Sequence, residues 1–224
     1  MYAFTQAQKT KALYWLCSFH IVVIAASNYL VQFPFTVFGI HSTWGALSFP
    51  FIFLTTDLTV RIFGAPLARK IIFWVMFPAL MVSYVVSVLF SEGAWAGWNN
   101  LLAANDFVAR IALASFAAYV AGQLLDIQVF DRLRRLKNWW VAPAASTVAG
   151  NALDTLIFFS MAFYASEDAF MAVHWPQIAL VDYGFKIVIC TLFFLPAYGV
   201  LLRYLTAKLT ALPQRTPKTA GQSA

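Results

Sequence analysis

Residues 48–70 read SFPFIFLTTDLTVRIFGAPLARK. The first part is apolar enough to sit in lipid, yet it carries Asp57 and Arg61 and leads to a basic exit at Arg69 and Lys70. A charge inside the hydrocarbon slab costs about 3 kcal/mol or more on insertion scales, so one placed there marks a functional site by default. Positions four apart share one face of a helix. Asp57 and Arg61 can therefore neutralise each other while both point inward, and the rest of the chain has to explain the pair.

The 224 residues are 62% hydrophobic and only 11% charged, with a mean hydropathy of +0.73. Soluble domains carry about a quarter charged residues, so this is the composition of a polytopic membrane protein. Its length suits one compact membrane domain. No G-x-x-x-x-G-K-[ST] run is present, which leaves no visible ATPase in the chain. Cys17 and Cys190 both fall in apolar runs and read as packing, with no disulfide framework or zinc site signalled. The start, MYAFTQAQKTK, lacks the ordered parts of a signal peptide, so the first membrane helix is expected to serve as its own insertion signal.

A span needs about 20 mostly apolar residues, and six stretches qualify: about 12–31, 44–63, 71–90, 107–127, 143–164 and 178–204. Lys9 and Lys11 precede the first, Arg69 and Lys70 follow the second, Arg132, Arg134, Arg135 and Lys137 follow the fourth, and Arg203, Lys208, Arg215 and Lys218 end or follow the sixth. The connections around 32–43, 91–106 and 165–177 contain no Lys or Arg. Basic loops stay cytoplasmic. The expected fold is therefore all-α, with six transmembrane helices in one domain over residues 1–211. Both termini are expected on the cytoplasmic side, with a disordered tail over 212–224. The net charge of +6 becomes an orientation signal, and nucleic acid is not expected as a partner. Tryptophans at both ends of the spans (Trp15, Trp74, Trp139 and Trp140 inside; Trp44, Trp95, Trp98 and Trp175 outside) suit anchoring at the headgroup level.

Twelve of the fifteen basic residues are accounted for by cytoplasmic flanks; Arg61, Arg110 and Lys186 remain. Each has an aspartate four residues earlier: Asp57, Asp106 and Asp182. Asp106 and Arg110 fall at the outer mouth, where snorkelling relieves most of the cost, and read as a mouth or structural ion pair. The other two pairs are candidates to line a polar cavity, with interhelical glue as the plainer alternative. In AGNALDTLIFFS, Asn151 and Asp154 share a face, and Asp154 has no basic neighbour in sequence. It must find Arg61, Lys186, a proton or a ligand. Asn28 is a further ligand contact. Asp126 reads as a cytoplasmic-end charge beside Arg132–Arg135. A three-plus-three division would make an inverted repeat of the kind transporters use, but no convincing internal match supports it.

No nucleophile–base constellation is present. His20, His41 and His174 are dispersed, no pair suits haem or zinc, and no cofactor or metal is expected. Aspartates, an asparagine and aromatic rings around a dry cavity suit a flat heteroaromatic solute, because a carboxylate accepts two parallel N–H bonds. From the residues alone the reading stops at a small-solute membrane transporter.

The runs SNYLVQFP (27–34), TWGALSFPFIFLTTDLTVRIFGAPLARKII (43–72), FVARIALASF (107–116), APAASTVAGNALDTLIFF (142–159) and ALVDYGFKIVI (179–189) span nearly the whole chain. In them the chain resembles the queuosine-precursor transporter family of bacterial inner membranes, also described as vitamin-uptake-transporter-like. The resemblance implies import of 7-cyano-7-deazaguanine and its aminomethyl relative for salvage of the tRNA modification queuosine. The expected substrate set is Asn28, Asp57, Arg61, Asn151, Asp154, Asp182 and Lys186, working by alternating access. A substrate-binding subunit that needs a separate ATP-driven motor, and a structural or assembly membrane protein, are the alternatives. A homodimer is left open.

Overall fold

The computed structural model describes residues 4–30, 32–37, 40–48, 50–91, 93–101 and 106–211. The expected disordered tail, 212–224, lies outside the described residues. Five helical stretches are long and apolar enough to cross a membrane: Gln6–Leu30, Ala65–Leu89, Asp106–Leu133, Val141–Phe163 and Ala169–Lys208. This is a helical, multi-pass membrane protein. In chain order the elements are α1 (Gln6–Leu30), a hairpin of β1 (Pro34–Val37) and β2 (Ile40–Thr43), α2 (Trp44–Ser48), α3 (Pro50–Phe63) and α4 (Ala65–Leu89). A two-residue hairpin of β3 (Phe90–Ser91) and β4 (Ala94–Trp95) and a 3-10 turn at Trp98–Leu101 lead to α5 (Asp106–Leu133). α6 (Val141–Phe163), α7 (Ala169–Ile189), a π-helical segment (Cys190–Phe194) and α8 (Leu195–Ala211) follow. Both hairpins are antiparallel, Pro34 facing Thr43 and Phe90 facing Trp95. They join helix ends and add no sheet layer.

The helix expected over 44–63 is two pieces, α2 and α3. Proline opens α3 at residue 50, where its missing N–H costs nothing because the first helical N–H groups have no partner anyway. At 14 residues, α3 is about 21 Å long, shorter than a hydrocarbon core of about 30 Å. It is held by protein instead of lipid: ten of its residues, from Pro50 to Ile62 and including Asp57, are buried. Backbone and polar groups that lipid would reject are tolerated inside such a protein sleeve. Gly64, at φ 93°, makes the turn from α3 into α4.

Several boundaries differ from expectation in one direction. Arg69 and Lys70, expected in a loop, lie within α4, and Arg132 lies within α5. The last helix begins at Ala169 instead of near Ile178, where the Asp168 carboxylate caps it by accepting the Phe170 and Met171 N–H groups at 3.0 Å. Hydropathy registers only the lipid-facing stretch, whereas helices continue into the headgroup layer until a cap or turn residue stops them.

α5 and α6 pack closely at two glycines. A Cβ on Gly122 would lie 3.0 Å from Asp154 Cβ and 3.1 Å from the Gly150 carbonyl; one on Gly150 would lie 3.0 Å from Asp126 Cβ and 2.8 Å from Phe53 Cε1. Small residues at such crossings let helix backbones pack without hydrophobic help from water. The crossing brings Asp154 and Asp126 to the shared face of the two helices.

Candidate functional site

A cavity of about 790 Å³ occupies the half of the bundle away from the Arg132–Arg135 end. Its walls come from the C-terminal halves of α1 and α4, the N-terminal half of α5, α6 beyond Asp154, and α7. It reaches the surface beside Phe170 and His174, both exposed, whose rings stack at 4.4 Å. Phe116, Phe158, Phe159 and Phe185 give apolar faces; Asn28, Ser27, Ser83, Ser87 and Ser115 give a polar wall. Asn28 Nδ2 donates to Ser83 Oγ at 2.8 Å and to the Ile24 carbonyl at 2.9 Å, which leaves its side-chain oxygen outside those bonds.

At the inner end of the cavity Asp154, Asp182 and Lys186 form one cluster. Lys186 Nζ lies 2.8 Å from Asp182 Oδ2 and 3.5 Å from Asp154 Oδ2. It also donates to Thr155 Oγ1 at 3.4 Å, and Thr155 Oγ1 donates to Asp182 at 3.5 Å. The Asp182–Lys186 spacing on α7 is the expected i, i+4 pair, and α6 supplies the second carboxylate. Two carboxylates share one ammonium, so the cluster carries one net negative charge when all three are ionised. Their unused lone pairs can accept N–H groups.

Asn28, Asp154, Asp182 and Lys186 thus line the cavity together. Asp57, Asn151 and Arg61 do not line it. Asp57 is 2% exposed and accepts Ser146 Oγ–H at 3.1 Å to Oδ1 and 3.3 Å to Oδ2. Asn151 is fully buried, donates to the Thr147 carbonyl at 2.9 Å, and its Oδ1 has no partner among the described residues. Among the described residues Arg61 makes no ion pair with Asp57. Its guanidinium turns to the other end of the bundle, donating to Tyr198 Oη at 3.0 Å, the Arg134 carbonyl at 2.7 Å and the Trp139 carbonyl at 3.3 Å. It also lies 5.3 Å over the Phe130 ring. One side chain therefore ties α3, α8, the C-terminal end of α5 and the loop before α6. Asp106 and Arg110 form no ion pair with each other among the described residues; Arg110 donates to the carbonyls of Met161, at 2.8 Å, and Tyr164, at the C-terminal end of α6.

Two features were not read from the sequence. Asp126 is fully buried, and among the described residues neither of its oxygens meets a donor at hydrogen-bonding geometry, so it is not an end charge beside the Arg132–Arg135 cluster. Helix α5 runs on past it to Leu133, which leaves it two turns short of the water. α6 brings it beside Asp57: Ser146 donates to Asp57 and, one turn on, a Cβ on Gly150 would lie 3.0 Å from Asp126 Cβ. The signal that could have found it is a repeat: VAGQLLD at 120–126 and VAGNALD at 148–154 agree at five of seven positions. In the antiparallel α5–α6 pair each glycine of this repeat meets the aspartate of the other copy. The two amides, Gln123 and Asn151, are both fully buried, each with one atom unpartnered among the described residues.

Residues 43–201 match the family model described as "putative vitamin uptake transporter". The chain is 62% identical over 209 residues to the "queuosine precursor transporter" of Escherichia coli K12, covering 93% of this chain and 95% of that protein. It is 58% identical over 227 aligned positions to the "probable queuosine precursor transporter" of Haemophilus influenzae, covering 96% and 97%. The protein of the same description from Bacillus subtilis is 29% identical over 161 residues, 68% of this chain and 69% of its own. No solved structure gives a significant match. A cavity closed at one end by a buried charge cluster, inside a bundle of membrane helices, is a transporter's architecture, and the chain belongs to the family of vitamin uptake transporters that these matches define.

Proposed function

We propose that the protein imports queuosine precursors, 7-cyano-7-deazaguanine and its aminomethyl relative, across the bacterial inner membrane. The observation that carries the substrate class is the Asp154–Lys186–Asp182 cluster at the end of an aromatic cavity. A volume of about 790 Å³ falls in the range of roughly 300–1,000 Å³ typical of small-molecule sites. A guanine-like edge presents parallel N–H donors, which a fixed carboxylate accepts pairwise. Phenylalanine rings cover the faces of the base, and Asn28 complements a carbonyl or ring nitrogen. The names of the relatives agree with this substrate class.

Six passes with both termini cytoplasmic fit the alternation of basic and bare connections, with α3 as the short, protein-enclosed pass. On that orientation the cavity faces outward, and Arg61 with Tyr198 and Trp139 forms the inner closure. Alternating access then requires Arg61 to leave its carbonyl acceptors. The deciding experiment is uptake of labelled 7-cyano-7-deazaguanine by purified protein in liposomes that contain no other protein. Uptake above empty liposomes, competed by unlabelled guanine-like precursor, is expected. Uptake only when an ATP-driven partner is added would make the chain a motor-dependent subunit.

A further inference from the structure

The charge balance of the bundle is uneven. Asp154 has Lys186, but its repeat-mate Asp126 has another carboxylate, Asp57, and among the described residues neither makes an ion pair. Both are buried to 2% exposure or less. Two adjacent carboxylates out of water do not both stay ionised; sharing one proton is how such pairs persist. Around them sit two further fully buried side chains with open bonding capacity. Among the described residues Gln123, whose Oε1 takes the Thr56 hydroxyl at 2.6 Å, has no partner for Nε2, and Asn151 has none for Oδ1. The layer lies between the substrate cavity and the Arg61 closure, and belongs to neither.

We infer that Asp57 and Asp126 bind one proton between their carboxyl groups and that this proton is carried inward with the substrate. The coupling device is Arg61, four residues after Asp57 and on the same helical face. While the inner end is closed, its guanidinium is held by Tyr198, the Arg134 carbonyl and the Trp139 carbonyl. When that end opens, those acceptors separate and Asp57 becomes the carboxylate within reach. Pairing with a cation favours the charged carboxylate, so the shared proton leaves to water at the inner face. No bond other than O–H changes, and one positive charge crosses with each substrate. The other groups facing the pair are Cys190 at the start of the π-helical segment and Tyr198 on α8. Lys186 on α7 is already engaged with Asp182 and Asp154. Helix α1 offers His20, which pairs with Tyr119, and the charged residues of α4, Arg69 and Lys70, are exposed.

The transport arm of the test rests on the import reading above; a spectroscopic arm does not. In liposomes with an entrapped pH dye, an inward acid gradient of about one pH unit should drive wild-type accumulation of labelled 7-cyano-7-deazaguanine to about tenfold. The lumen should acidify in step, and a sodium gradient at equal pH should drive none. Asp126→Asn should bind the labelled precursor in detergent and equilibrate it across the membrane without accumulating it; Asp57→Asn is the second variant should the first not fold. Wild-type accumulation indifferent to the pH gradient, or driven by sodium, overturns the proposal, as does accumulation retained by a folded variant. Infrared difference spectra over an acid-to-neutral titration should show a protonated-carboxyl band in the wild type that both variants lose. Its absence from the wild type overturns the proton site whatever the uptake result. A band present in a wild type that binds no precursor keeps the proton site and removes the import reading.

Discussion

Lys186 and Asp154 meet across the α6–α7 interface at 3.5 Å, with the lysine held at 2.8 Å by Asp182 on its own helix. The lysine is the only cation that the described ion pairs supply to these two carboxylates, and it is mostly buried, its side chain 11% exposed. Removing one partner of such a cluster strands charge in a poor solvent, which costs about 3–5 kcal/mol.

Lys186→Ala should therefore lower the thermal unfolding midpoint in detergent and abolish uptake, whereas Asp154→Asn should abolish uptake with insertion intact. Asp154→Asn keeps the volume, removes the charge and replaces one acceptor oxygen with an NH2 donor. Normal uptake by Asp154→Asn would take that residue out of the site.

The Arg61 closure makes a different forecast. Tyr198→Phe removes one acceptor of three and, at about 0.5–1.5 kcal/mol per hydrogen bond, should shift the balance toward an open inner end. Arg61→Ala, which loses all three, should shift it further. Reactivity of a cysteine placed at Ser146 toward a cytoplasm-side thiol reagent reads the shift; unchanged reactivity in Arg61→Ala would show that the residue is no latch.

The glycine crossing can be tested without any substrate. Gly150→Ala pushes a methyl to 2.8 Å from Phe53 Cε1 and 3.0 Å from Asp126 Cβ, and overpacking of this kind costs about 1–3 kcal/mol. Gly184→Ala has nothing within 4 Å and gains helix propensity, so its melting temperature should hold or rise. Equal stability of the two variants would mean that α5 and α6 separate freely.

Topology yields the plainest test. Single cysteines at Trp98 and Arg135 should behave oppositely toward an impermeant maleimide on intact cells: labelled at 98, silent at 135 until the membrane is opened. Labelling of both from one side would refute the six-pass arrangement.

Much of this protein was legible in one dimension because lipid imposes simple rules. Apolar length, basic flanks and the spacing of Asp182 and Lys186 each follow from the cost of charge in hydrocarbon, a cost local to one helix. Asp57 and Arg61 obey the same spacing yet do not pair, because acceptors distant in sequence, at Arg134, Trp139 and Tyr198, outcompete a neighbour four residues away. Asp126 departs from the reading of an end charge for a related reason: its proximity in sequence to arginines says nothing of how far α5 extends beyond it.

Composition and periodicity alone were enough for a helical membrane protein with intramembrane charge, and the runs of similar residues for its family. They also presented residues 44–63 as a single span. Folding made of it a short α3 sheathed by other helices, with Asp57 turned to Asp126 and Arg61 turned to the opposite closure. The membrane dictates which segments are helical because each segment meets lipid individually. Partner choice among the buried charges is a competition among groups from several helices, and only their packing brings those competitors together.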